Sequence, residues 1–143
     1  MIDILLSIRP CWDEKIFERI KTVELRKSAP QLKKPFRVYL YETKAGLGLV
    51  VGECICWMVE KSTQRPYSIV MREGSLLDDY EISEYAKGRP VYGWYLSKVA
   101  KYKNPRSLSA FGLSRAPQSW CYVKRGKENA RANDAERIFT TVP

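Results

Sequence analysis

Phe36-Arg37-Val38-Tyr39-Leu40-Tyr41-Glu42-Thr43, followed across Lys44-Ala45-Gly46 by Leu47-Gly48-Leu49-Val50-Val51-Gly52-Glu53-Cys54-Ile55-Cys56-Trp57-Met58-Val59-Glu60, is the stretch that decides the fold. Both halves are rich in Val, Tyr, Ile and Cys, residues that suit a pleated, half-buried surface, and the short Gly-containing link suits a hairpin. Two long strands over residues 36–43 and 47–60 therefore form the predicted centre of a sheet.

Upstream, Ile4-Leu5-Leu6-Ser7-Ile8 is a short β-prone run ended by Arg9-Pro10, and proline there suits the entry to a helix. The helix is predicted over residues 11–20, because Trp12, Ile16, Phe17 and Ile20 make an apolar stripe that packs on a sheet. Thr22-Val23-Glu24-Leu25-Arg26 then alternates strictly. Thr22, Glu24 and Arg26 share one face of that strand, and Val23 and Leu25 share the other. Downstream, residues 61–67 read as a polar loop. Residues 76–86 form a helix, acidic early and closed by Lys87-Gly88. Residues 91–96 and 120–123 resume as strands, separated by a basic loop and a short turn at 108–111. Five or six strands with two inserted helices make an α+β protein and point to a closed or nearly closed barrel. Residues 1–125 form that domain, and residues 126–143 a tail with one short helix around 130–137.

The chain has 143 residues, 45% hydrophobic and 29% charged, which excludes disordered and fibrous classes and fits one soluble domain. No apolar run approaches the ~18 residues of a membrane helix, and Asp3 stands where a signal peptide carries basic residues, so a cytoplasmic location is expected. There is no histidine, so imidazole chemistry is excluded. Cys11, Cys54, Cys56 and Cys121 match no zinc spacing and read as free thiols; neither metal nor cofactor is expected.

Charge is unevenly distributed. Lys plus Arg is 25 against 16 Asp plus Glu, yet residues 85–127 hold ten basic residues and no acid, leaving fifteen against sixteen elsewhere. The surplus carries Lys87, Arg89, Lys98, Lys101, Lys103, Arg106, Arg115, Lys124, Arg125 and Lys127. A polyanionic partner and a merely solvated basic face both account for it. Lys21, Thr22, Glu24 and Arg26 crowd four functional side chains into six positions. They suit either a surface strand whose charges meet a neighbour or the mouth of a barrel. There a carboxylate among cations accepts hydrogen bonds from a base amine while Lys21 and Arg26 hold phosphate. Tyr39 and Tyr41 share a strand face. Trp94 and Trp120 lie in the basic half, where an exposed indole near Lys98 or Arg115 stacks on bases; filling the core is the competing role for all four. Ser119 either donates to a phosphate or base edge or caps the turn after Pro117.

Ile4-Leu5-Leu6-Ser7-Ile8-Arg9-Pro10 with Lys21-Thr22-Val23-Glu24-Leu25-Arg26-Lys27 resembles the amino-terminal half of an ASCH domain, a PUA-like β-barrel. Tyr92-Gly93-Trp94 and Pro117-Gln118-Ser119-Trp120-Cys121-Tyr122-Val123 resemble the small ASCH proteins of phages and prophages of Firmicutes. The resemblance spans about residues 1–125. The glycine of the G-x-K-x-x-E-x-R pattern is replaced by Arg19. It implies a PUA-like β-barrel of five to six strands with two or three flanking helices, and a cleft beside the Lys21–Arg26 strand that binds RNA or a nucleotide. One bacterial subgroup hydrolyses the amide of N4-acetylcytidine with a lysine, a threonine three positions later and a more distant glutamate. Here Lys21 fits the lysine, but Glu24 occupies the threonine position and Thr22 faces away. Another member is described as a ribonuclease.

The leading expectation is a module binding nucleic acid, with RNA favoured by the resemblance, or a nucleotide. Lys21, Glu24, Arg26, Tyr39, Tyr41, Trp94, Ser119 and Trp120 are its candidate ligand-binding residues. Lys98, Lys101, Lys103, Arg106, Arg115, Lys124 and Arg125 are its candidate phosphate-backbone contacts. The alternative is a hydrolase acting on a modified nucleoside or on RNA, with Lys21 as base and Glu24 as acid or electrostatic support. A third reading is a phage protein-interaction module whose basic half meets an acidic partner.

Overall fold

The computed structural model of the protein describes residues 1–125 and, as backbone, the strand at 137–139. Its elements run β1 (Ile2–Ile8), α1 (Pro10–Phe17), β2 (Val23–Arg26), β3 (Phe36–Glu42), β4 (Leu49–Ser62), α2 (Ile69–Ser75), α3 (Asp79–Ala86), β5 (Val91–Arg106), a 3-10 turn (Leu108–Phe111), β6 (Trp120–Lys124) and β7 (Arg137–Phe139). Six strands follow the order β2-β5-β4-β3-β1-β6, and β7 pairs with β5. Only the β1–β3 pair is parallel among these pairings. No helix of the described residues is long and apolar enough to cross a membrane.

The central hairpin pairs from Phe36 against Cys56 to Glu42 against Leu49. Along β4 and β5 the register shifts at three places, and such bulges bend and coil a sheet. Bending lets one face enclose a core of Ile4, Leu6, Ile8, Val38, Leu40 and Trp94, against which α1 sets Ile16 and Phe17. Gly52 permits that approach, since a Cβ there would meet the Ala100 carbonyl oxygen at 2.5 Å and the Phe17 ring at 2.6 Å. The opposite face of β1 and β3 carries Leu5, Tyr39 and Tyr41, which pack with Tyr102 and Phe111. Burial on both faces explains why Ile4-Leu5-Leu6 reads as an unbroken apolar run. A third cluster seats α2 and α3 on β2 through Val23, Leu25, Met71 and Ile82.

The α+β arrangement matches the expectation, with three helices, while the strand order leaves the sheet open rather than closed into a barrel. β2 and β6 are end strands, and side chains span the gap between them. Arg26 donates to the Ser7 carbonyl and the Ser119 hydroxyl, and Trp120 Nε1 to the Ser28 hydroxyl.

Four local expectations are corrected. The first helix stops at Phe17 rather than residue 20, and Ile20 is 53% exposed. A Schellman turn ends it: Arg19 N–H donates to the Ile16 carbonyl and Ile20 N–H to the Lys15 carbonyl, with Arg19 at φ 62°. This left-handed position is where glycine is favoured, which accounts for a glycine in the pattern at the place Arg19 holds here. The helix predicted over 76–86 starts later, at Asp79, where a capping box between Asp78 and Glu81 opens α3, and an unpredicted helix, α2, precedes it and is ended by Leu76 at φ 67°. Short α2 buries few residues and shows little periodicity. The predicted basic loop after residue 96 is instead the continuation of β5, where buried Val99, Ala100 and Tyr102 accompany exposed Lys98, Lys101 and Lys103. The fourth correction is at residue 22: β2 starts at Val23, leaving Thr22 exposed outside the strand. The helix predicted around 130–137 lies outside the described residues, apart from Arg137 in β7.

Candidate functional site

The turn that ends α1 sends Lys21 back beneath Trp12 of that helix. Two residues into β2, Glu24 turns to the same side, and Arg26 follows it by strand periodicity. Lys21 Nζ stands 3.2 Å from Glu24 Oε1, donates to the Ser75 carbonyl at 3.2 Å and lies 4.7 Å from the centre of the Trp12 ring. Arg26 donates from Nε (3.2 Å) and Nη2 (2.6 Å) to Glu24 Oε2, from Nη2 to the Ser7 carbonyl (2.8 Å) and from Nη1 to Ser119 Oγ (3.2 Å). The three side chains thus lie on one cleft of about 440 Å³, whose walls include Ser7, Arg9, Trp12, Tyr85 and Gln118. Ser75 reaches Lys21 because α2 lies tight on β2: a Cβ at Gly74 would sit 2.5 Å from Val23 Cγ2.

Glu24 is held from both sides, so its carboxylate is oriented and both oxygens are engaged. Burial lowers the Lys21 pKa, opposed chiefly by the charge of Glu24. With Lys21 protonated, two cations surround one anion, leaving a net positive charge on a partly apolar cleft. Such a wall favours an anionic ligand with a planar group against Trp12. Among the described residues no three metal-ligating side chains cluster.

Other candidates occupy different places. Tyr39 is fully buried and its hydroxyl donates to Asp3 at 2.9 Å; burial and the Asp3 charge push its pKa up. Trp94 is also buried, donating from Nε1 to the Ser28 carbonyl at 3.2 Å, so both are core residues rather than ligand contacts. Trp120 stacks edge-on against Trp94 and Tyr122 in the gap between the end strands. Ser119 accepts from Arg26 and so positions that guanidinium. Tyr41, almost fully buried, lines a second cavity together with Arg115.

The basic residues form no single strip. Lys98, Lys101 and Lys103 lie along β5, while Lys124 closes β6. Half-buried Arg106 ends β5. Arg125 is a correction, since its Nε and Nη2 grip buried Asp3 at 2.7 and 2.6 Å, making it a structural partner rather than a phosphate contact. Replacing Arg125 with Ala leaves Asp3 only the Tyr39 hydroxyl and is expected to cost about 1–2 kcal/mol, moderated by the access water then gains. Urea unfolding measures it, and an unchanged midpoint would contradict the role.

Sequence reasoning assigned Trp12 to the sheet-packing stripe and passed over Arg9, Tyr85 and Gln118. Position of Trp12 one turn before Ile16 was visible, but its orientation over Lys21 depends on the turn at Arg19.

No protein-family profile matches the chain. Over 123 residues it is 26% identical to ATP synthase subunit alpha of Ureaplasma parvum, covering 85% of this chain and 15% of that protein. Over 127 residues it is 31% identical to large ribosomal subunit protein uL22 of Ureaplasma parvum, covering 85% of this chain and 39% of that protein. The chain thus spans well under half of the curated relatives it matches. Among solved structures, it superposes on the crystal structure of ASCH from Zymomonas mobilis with a TM-score of 0.75 and 18% identity, covering 99% of this chain and 98% of that one. A tyrosine-to-phenylalanine variant of that protein superposes with a TM-score of 0.74 at 18% identity, over 95% of this chain and 99% of that one.

Proposed function

From a chain that carries the ASCH fold, we propose a module that binds single-stranded RNA or a nucleotide derived from it. The base enters the cleft against Trp12 and is met by Glu24, while Lys21 and Arg26 bring positive charge to the phosphate. The observation that carries this reading is the buried Lys21–Glu24–Arg26 cluster, with its excess of one cation, opening beside an aromatic face. An ordinary surface pair would be screened and mobile, whereas this one is fixed by backbone carbonyls from β1 and α2. Lys98, Lys101 and Lys103 extend the electrostatic footprint along β5.

Fluorescence anisotropy with labelled single-stranded RNA tests the reading. Affinity is expected to fall steeply with salt, with a log–log slope of about −0.7 per phosphate contacted. Replacing Lys101 and Lys103 with Ala should weaken all RNAs alike and flatten that slope by up to about two contacts. Trp12→Leu should weaken the preferred sequence most, since stacking is worth ~1–3 kcal/mol per base. Affinity indifferent to salt and to Trp12 would overturn the proposal.

A hydrolytic reading has one observation in its favour, the lowered pKa of Lys21, which brings a lysine towards general-base duty. Against it, Glu24 holds the position of the threonine in the N4-acetylcytidine hydrolases, and exposed Thr22 does not replace it. Incubation with N4-acetylcytidine and with labelled RNA, wild type beside Lys21→Ala, decides the matter. Turnover lost in the variant supports hydrolysis; equal traces remove it.

A further inference from the structure

A second cavity of about 390 Å³ adjoins the Lys21–Glu24–Arg26 cleft, and the two share Ser7, Thr43 and Gln118 as lining residues. We propose that these cavities are successive subsites for one strand, so that the ligand is an oligonucleotide of at least two nucleotides rather than a mononucleoside. The inference rests on the nucleotide reading of the first cleft and adds to it the class of ligand.

The saddle between the cavities is firmly built. Ser7 N–H donates to the Ser119 carbonyl at 2.9 Å, and its hydroxyl donates to the Pro117 carbonyl at 2.7 Å, pinning the segment that carries Gln118 to β1. Thr43 N–H donates to the Ile8 carbonyl at 3.0 Å, fixing the end of β3 beside it. None of the three saddle residues is charged; they offer a hydroxyl and an amide, groups suited to a ribose or a bridging phosphate.

Both cavities are lined by cations and an aromatic residue, and of the two the first holds an acid, Glu24. The first sets Lys21 and Arg26 near Trp12; the second sets Lys44 and Arg115 near Tyr41, with Leu108 and Ala116 as apolar floor. Lys44 and Arg115 are exposed, neither pairs with a carboxylate among the described residues, and no acid lines their cavity. A mononucleoside would leave this second set of cations without a counter-charge, whereas a strand places one phosphate per nucleotide. Each volume falls in the range of about 300–1,000 Å³ typical of small-ligand pockets. Bases in a duplex are stacked and paired, so a strand entering two such pockets must be single.

Calorimetric titration of the whole chain with every ribonucleoside 5′-monophosphate and every 5′-phosphorylated ribodinucleotide, at one fixed salt concentration, tests the proposal. The best dinucleotide should bind about tenfold or more tighter than the best monophosphate, because the second contact is made intramolecularly. Lys44→Ala combined with Arg115→Ala, both surface changes, should weaken the dinucleotide several-fold more than the monophosphate and so bring the two affinities close together. Gln118→Ala, at the shared wall, should narrow the same gap. Equal affinities for mono- and dinucleotide, both weakened by Trp12→Leu, would overturn the two-subsite inference and leave the first cleft standing. No binding by any of these nucleotides would overturn both.

Discussion

Glu24→Gln is expected to destabilise the fold by ~3–5 kcal/mol, the usual cost of removing one partner from a buried ion pair. Glutamine preserves the size of the side chain but withdraws the only negative charge facing Lys21 Nζ at 3.2 Å and Arg26 Nη2 at 2.6 Å. Its amide also turns a donor towards one cation. Water replaces the lost carboxylate only in part, since Lys21 is 4% exposed and the Arg26 side chain 13%. Arg26 further ties β2 to Ser7 of β1 and Ser119 at the start of β6, so its release loosens the open side of the sheet as well. Urea unfolding with linear extrapolation measures the loss. Lys21→Met should recover much of it in the Glu24→Gln background, because the uncompensated ammonium is gone. The resulting double-mutant cycle should show strong coupling. A loss under about 1 kcal/mol, with additive effects, would mean that solvent already screens the cluster. Since this variant reports on stability first, nucleotide recognition is better read from Trp12→Leu.

Asp13→Asn should act in the opposite direction and only at higher pH. Asp13 in α1 is 1% exposed, and neither carboxylate oxygen has a hydrogen-bond partner meeting strict geometry. Burial is the main cause that pushes its pKa up to about 8 from 3.8, followed by the facing carboxylate of Glu42 on β3, with Glu14 of the same helix adding a smaller repulsion. The protonated form is therefore favoured in the folded state. Between the unfolded and folded values the native chain binds the extra proton, so stability declines as pH rises from about 4 towards 8. Asparagine is neutral throughout and can donate to Glu42. At pH 3.5 the variant should match the wild type, and at pH 8.5 it should be more stable, on the order of 2–3 kcal/mol. Urea midpoints at the two pH values test this. Parallel pH profiles for the two proteins would show that Asp13 is ionised and solvated in the folded state.

Local chemistry made much of this protein legible. Period-two alternation identified β2, because each residue's face in a strand depends on its neighbours alone, and β-prone composition around a Gly-containing link identified β3 and β4. The same geometry put Glu24 and Arg26 on one side, and proline at position 10 marked the start of α1. Charge counting found the basic half. Alternation also runs through Lys101, Tyr102 and Lys103, but the lysine content disguised β5 as a loop, whereas in the fold Tyr102 is buried and donates to Glu53. Other outcomes depended on residues far apart in the chain. Arg125 reads as a surface cation until Asp3, 122 positions away, is found beneath it. Tyr39 and Trp94 read as stacking surfaces until the clusters on the two faces of β1 and β3 close over them. Arg19 looks like a departure from a glycine, yet it takes the left-handed conformation, φ 62°, that a glycine would favour. The sequence by itself determined most of the strands, the face that Glu24 and Arg26 share and the charges available to a cleft. Only tertiary structure decided that Ser7 and Pro117 meet across 110 residues to form the saddle between the two cavities, because such a contact is selected by the packing of the whole sheet and leaves no mark on local periodicity.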